Sequence, residues 1–193
     1  MGERAFRHFV FGRLHGLYER VPEGLRFSQG VSLEVRNVQG RFVQLLMNSL
    51  QPGSVHRLGR NRLTVSELRL EDRHITADEI GIRMDSPVTV HQTLPDGSTF
   101  FPDPFDPEFG RLLAVNAARK WISLYRSDPP GGLAVIPLEV TGRDKVVTRY
   151  KDFFLTGWRG SYLLHGEPAV LDLLYQTGLG SRNAQGFGLF DTI

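Results

Sequence analysis

From residue 80 onward the chain runs through six elements in turn, and their order restricts the fold more than any other feature of the sequence. Residues 82–92 (IRMDSPVTVHQ) alternate as a strand interrupted at Pro87. Residues 107–126 (PEFGRLLAVNAARKWISLYR) form the longest helical pattern, with proline in the first turn, where a missing amide hydrogen costs nothing. Two strands follow, LAVIPLEV at 133–140 and a long one over 145–164 that bends at Gly157 or Gly160. A helix at 168–175, a loop rich in glycine and a closing strand, GFGLFDTI, end the series.

Strand, helix, strand, strand, helix, strand is the ferredoxin-like, or RRM-like, arrangement of an α+β fold. The first half uses the same grammar in part. Residues 6–14 (FRHFVFGRL) set Phe9 and Phe11 opposite His8 and Val10, and residues 31–36 (VSLEVR) alternate more cleanly. A helical run with apolar residues at 42, 43, 45, 46, 47 and 50 stops at Pro52 and Gly53, and a strand at 63–70 (LTVSELRL) follows. The expected architecture is therefore two tandem ferredoxin-like domains, residues 1–78 and 79–193, meeting near 76–80. The first is expected to be incomplete at its N-terminus, lacking an opening strand and helix.

Composition removes several kinds of chemistry. The chain has no cysteine, which excludes disulfides, thiolate metal sites and a cysteine nucleophile. No apolar run approaches the roughly 20 residues of a membrane span, and no secretory signal pattern opens the chain, so a cytoplasmic protein with no membrane partner is expected. Net charge is only +2, yet just three of the 23 basic residues are lysine: Lys120, Lys145 and Lys151. Arginine suits bidentate phosphate contacts and stacking on bases, although a compositional bias of the genome would also enrich it.

The stretch GLGSRNAQGFGLF at 178–190 carries Gly178, Gly180, Gly186 and Gly188, with Arg182 between the two pairs. Glycines at these positions allow positive φ and close backbone approach, so the amides and Arg182 can cradle a phosphate. A tight helix-to-strand connection would demand the same glycines. The loop is not a GxxxxGK[ST] phosphate loop, and it leads from helix to strand, the reverse of a dinucleotide fingerprint.

The spacing of this loop, glycine-hydrophobic-glycine, five residues containing a base, then glycine-hydrophobic-glycine, resembles the C-terminal motif of the CRISPR-associated repeat-RNA endoribonucleases of the RAMP superfamily. The resemblance extends through GSYLLHGEPAVLDLLYQT, RYKDFFLTGW, SPVTV, FFPDPFDPEFGRLLAVNAARKW and FRHFVFGRLHG, and so covers nearly the whole chain. It implies paired ferredoxin-like domains that bind CRISPR repeat RNA, both precursor and mature guide. The loop would meet the RNA or brace the domain interface. The implied reaction is metal-independent cleavage within each repeat, leaving a 2′,3′-cyclic phosphate and a 5′-hydroxyl. Many relatives carry their catalytic histidine just before the phenylalanine-rich strand, where this chain has only MGERA. A repeat-RNA-binding subunit without catalysis, partnering the other subunits of a CRISPR effector complex, is the alternative reading. A homodimer is a further implied partner state.

Of the six histidines, at 8, 15, 56, 74, 91 and 165, no two stand at HExxH spacing, and neither metal nor cofactor is expected. His15, among Arg13, Tyr18 and Arg20, is the candidate catalytic residue. His8 is expected to face solvent or RNA. Arg13, Lys120, Arg149, Lys151, Arg182 and the four loop glycines are the candidate RNA-binding residues, because basic side chains interleaved with aromatics suit phosphate contact plus base stacking.

Overall fold

The computed structural model describes residues 7–150 and 153–193, which places the candidate Lys151 outside the described residues. In the first half, β1 (Phe9–Phe11) is followed by a hairpin of β2 (Tyr18–Val21) and β3 (Gly24–Phe27), then by β4 (Val35–Asn37). β4 pairs antiparallel with β1, Val10 facing Arg36. Helix α1 (Gly40–Ser49) and a second hairpin, β5 (Val55–Leu58) with β6 (Asn61–Thr64), come next.

The second half contains β7 (Glu79–Met84), a small ribbon of β8 (Gln92–Thr93) and β9 (Thr99–Phe100), helix α2 (Pro107–Tyr125) and β10 (Leu133–Glu139). The hairpin β11 (Lys145–Tyr150) and β12 (Phe153–Trp158) precedes β13 (Ser161–Gly166), α3 (Pro168–Thr177) and β14 (Phe190–Thr192). Four of these strands make one antiparallel sheet in the order β10-β13-β7-β14. That order is the ferredoxin-like one: the strand that opens the unit lies in the middle, between the third and the fourth.

Local chemistry explains the helices. Asp106 caps α2 by accepting the Glu108 amide at 2.8 Å, and Pro107 takes the first helical position. The stripe Phe109, Leu113, Ala117 and Lys120 turns inward. Its Phe109, Leu113 and Ala117, with Ile82, Val88, Tyr162, Leu164, Leu171, Leu174 and Phe190, form the core between the helices and the sheet.

Three expectations are corrected. The long strand over 145–164 is three strands: β11 pairs with β12 from Lys145 opposite Trp158 to Tyr150 opposite Phe153, and Gly160, at φ +99°, turns the chain into β13. Residues 63–70 are also not one strand, since β6 ends at Thr64 and the segment beyond it belongs to no named strand. Further along, the segment's backbone is held by α3 side chains: Asp172 accepts the Ile75 amide at 2.9 Å, and Gln176 donates to the Arg73 carbonyl at 2.8 Å. The strand expected at 31–36 is displaced to 35–37, with Ser32 bridged instead to His15.

The first half meets the second through Arg36, a guanidinium buried to 7% exposure. It donates to the Phe190 carbonyl and to Asp191, both at 2.7 Å, and to Glu34 at 2.5 Å, while lying 3.9 Å over the Tyr175 ring. A buried charge persists only when paired in this way.

Candidate functional site

The glycine loop leaves α3 and returns to β14. A Cβ on Gly180 would stand 2.6 Å from the Thr89 carbonyl oxygen, and one on Gly188 would collide with the Leu179 carbonyl, so both places exclude a side chain. The collisions are with protein backbone. The amides are likewise occupied by protein: Gly178 donates to Leu174 at 2.7 Å, Leu179 to Gly188 at 2.8 Å, Ser181 to Thr89 at 2.8 Å, and Gly188 to Pro87 at 2.9 Å. The Leu189 amide donates to the Ser86 hydroxyl at 2.9 Å, and buried Asn183 donates to the Leu179 and Phe187 carbonyls. These amides are spent on protein, and those of Ser181, Gly188 and Leu189 stitch the loop to residues 86–89. An anion-binding loop and a tightly packed one need the same glycines, and only the surroundings distinguish them.

Lys120, expected among the RNA contacts, is 3% exposed, and its ammonium donates to the Gly178 carbonyl at 2.5 Å. Burial pulls its pKa down to about 7. His8 is half-buried rather than solvent-facing, with Nε2 3.3 Å from the Ser123 hydroxyl. Its pKa is lowered first by burial and then by the Lys120 charge. The i, i+4, i+8 and i+11 spacing of 109, 113, 117 and 120 was the available signal that Lys120 points inward.

Two other groups of residues are brought together. Arg182, in left-handed backbone at φ 61°, reaches the Gln185 amide oxygen at 3.1 Å and lies 5.2 Å over the Phe153 ring, joining the glycine loop to the β11–β12 ribbon that carries Arg149. At the other end of the loop stands Asp85, which the sequence reading did not single out. Its amide donates to the Leu189 carbonyl at 3.0 Å, so the loop's exit fixes it in place.

The Asp85 carboxylate accepts the Arg13 amide at 3.1 Å and the Arg13 Nε at 3.2 Å, and the His15 Nε2 lies 2.8 Å from it. The carboxylate is 6% exposed, whereas the side chains of Arg13 and His15 are 57% and 44% exposed. Gly12 makes room for it, since a Cβ there would collide with the carboxylate and approach Leu189 Cδ2 to 2.6 Å. Candidates Arg13 and His15 thus share a buried anion on the seam between the halves, with their outer parts in solvent. Asp85 is 72 residues from Arg13 in the chain, too far for any local pattern to expose the contact.

Chemically, this arrangement offers one imidazole able to carry a proton and one permanent cation beside it, both held from behind. Among the described residues no group of three or more His, Asp or Glu side chains could hold a metal ion. No helix among them is long and apolar enough to cross a membrane.

Residues 70–192 match the family model for CRISPR associated protein Cas6, C-terminal, and the chain belongs to that family. Membership gives it a role in CRISPR RNA processing or repeat-RNA binding. Among solved structures, one described as a Cas6-related gene from Pyrococcus furiosus superimposes with a TM-score of 0.85 at 17% identity, over 99% of this chain and 80% of that one. An RAMP protein binding different RNA substrates gives a TM-score of 0.81 at 15% identity, over 99% and 81%. A CRISPR associated protein Cas6 gives 0.77 at 19% identity, over 97% and 79%. At such identities the likeness is one of fold, and it shows the α+β ferredoxin-like architecture. No curated protein matches the chain.

Proposed function

We propose that this protein is a cytoplasmic endoribonuclease that cleaves CRISPR precursor RNA within its repeats without a metal ion. The observation that carries the reading is the Arg13–His15 pair backed by buried Asp85, found in a chain of this family. In the proposed reaction the ribose 2′-oxygen attacks the adjacent phosphorus, and the bond from phosphorus to the 5′-oxygen breaks. The 2′-hydroxyl proton leaves to a base and the departing 5′-oxygen gains one. The products are a 2′,3′-cyclic phosphate and a 5′-hydroxyl.

His15 serves as the proton carrier, and Arg13 offsets the charge that gathers on the phosphoryl oxygens in the transition state. Cleavage of a labelled repeat RNA in EDTA tests this. Cyclic-phosphate fragments are expected, and His15→Ala should lower the single-turnover rate by roughly 10²- to 10⁴-fold while leaving the Kd for RNA within a few fold.

One observation favours a second reading. Transesterification needs both a base and an acid, and the Asp85 cluster contains a single imidazole. A subunit that binds repeat RNA and presents the mature guide to effector-complex partners needs neither. Tight binding with no product in the same assay selects this reading, and an absence of binding excludes both.

A further inference from the structure

The β11–β12 ribbon has two unlike faces. Because partners alternate across an antiparallel pair, Val146, Thr148, Leu155 and Gly157 share one side, and Lys145, Val147, Arg149, Phe154, Thr156 and Trp158 share the other. The first side faces the body of the protein: Leu155 is 1% exposed, and a Cβ on Gly157 would press on Pro87 at 3.0 Å. The second is open to water from Phe154 to Lys145 and closes at Trp158, which is buried with the Lys145 ammonium 5.7 Å over its ring. Phe154 is 65% exposed and Val147 56%, with Arg149 directly across from Phe154 and Lys145 two residues beyond Val147.

Leaving a phenyl ring in water forgoes most of the stabilisation its burial would bring, and a ribbon ordered only for its own sake would turn Phe154 inward. Here the ring lies beside an arginine, at one end of a strip about 13 Å long with a lysine at the other. An apolar plane flanked by cations has the right chemistry for a nucleotide: the base stacks on the ring and the phosphates meet the charges. The same face is badly suited to a duplex, because it offers no fan of polar groups to base edges and the major groove of A-form RNA is too narrow for the ribbon's side chains.

We infer that Phe154, with Val147, Arg149 and Lys145, is a stacking site for an unpaired base of the repeat RNA. The inference rests on the RNA-binding part of the proposed function and specifies the form of RNA at this surface, single-stranded rather than paired.

The test uses the full chain and repeat RNAs carrying 2-aminopurine at one unpaired position at a time. One position should show fluorescence quenching on binding. Phe154→Ala should abolish that quenching and weaken binding roughly 5- to 100-fold with an unchanged Tm, and Phe154→Tyr should restore both. If wild-type protein binds and Phe154→Ala leaves affinity and quenching as they were, the inference falls while the RNA-binding reading stands. If Phe154→Ala instead converts a dimer to a monomer in sedimentation without changing RNA affinity, the face belongs to a second copy and the inference is overturned. Wild-type protein that binds no repeat RNA overturns both.

Discussion

The two halves of the molecule follow related patterns and bury very different amounts of themselves. Each has a pair of antiparallel strands with a hairpin inserted between them, β2–β3 between β1 and β4, and β11–β12 between β10 and β13, and each then continues into a helix. In the second half that helix, α3, has six buried residues; in the first half α1 has none, and Leu45 is 57% exposed. Among the described residues before β7, Val10 is the one buried hydrophobic side chain. Amphipathic patterning therefore sets where a helix forms, and burial depends on what other chain is brought against it. The first half meets the second through the polar contacts of Arg36 at β14 and of Asp85 beneath Arg13 and His15, and through Val10 and Phe11 packed on the glycine loop.

Truncating the core of the second half should give the largest effect. Phe109→Ala removes a ring that is 1% exposed and stacked 6.1 Å from Tyr162, and a loss of about 3 to 5 kcal/mol in chemical denaturation is expected. A loss below about 1 kcal/mol would show that this core is looser than its packing, and would erase the contrast with the first half.

The seam comes next. Arg36→Ala should cost about 2 to 3 kcal/mol, because Glu34 and Asp191 are half-exposed and rehydrate while the Phe190 carbonyl loses its donor. Hydrogen exchange should show faster exchange in β1 and β4 than in the four-stranded sheet. Equal acceleration in both would mean that the halves unfold as one unit.

The smallest effect, read within one unit above neutrality, is one of pH. Lys120 has its pKa lowered to about 7 by burial, so above pH 7 the folded protein gives up a proton that the unfolded chain keeps until about 10.5. The unfolded state then binds more protons, and stability relative to Lys120→Met should rise with pH from 7 by up to about 1.4 kcal/mol per unit. Below pH 7 the difference should be flat. Parallel pH–stability curves for the two proteins would show that Lys120 stays protonated in the folded state.

The helices were legible in the sequence because their signals are local: Asp106 and Pro107 open α2, Pro168 opens α3, and Pro52 and Gly53 follow α1. The glycine loop was legible as a place that needs glycine, and Gly178, Gly180, Gly186 and Gly188 all adopt positive φ. What the glycines are for was not legible, since the Thr89 and Leu179 carbonyls that require them come together only in the folded chain. The ribbon's two faces stayed hidden within a run that read as a single strand.

By itself, then, the sequence determined the order of sheet strands and helices in the second half, the three helices and the family, because periodicity, caps and motif spacing act over a few residues. Tertiary structure decided that the amides of Ser181, Gly188 and Leu189 go to residues 86–89, that Lys120 is buried, and that Arg13 and His15 share Asp85. Each of those outcomes depends on contacts between residues tens of positions apart, 58 for Lys120 and Gly178 and 72 for Arg13 and Asp85, and such contacts exist only once burial has brought the segments together.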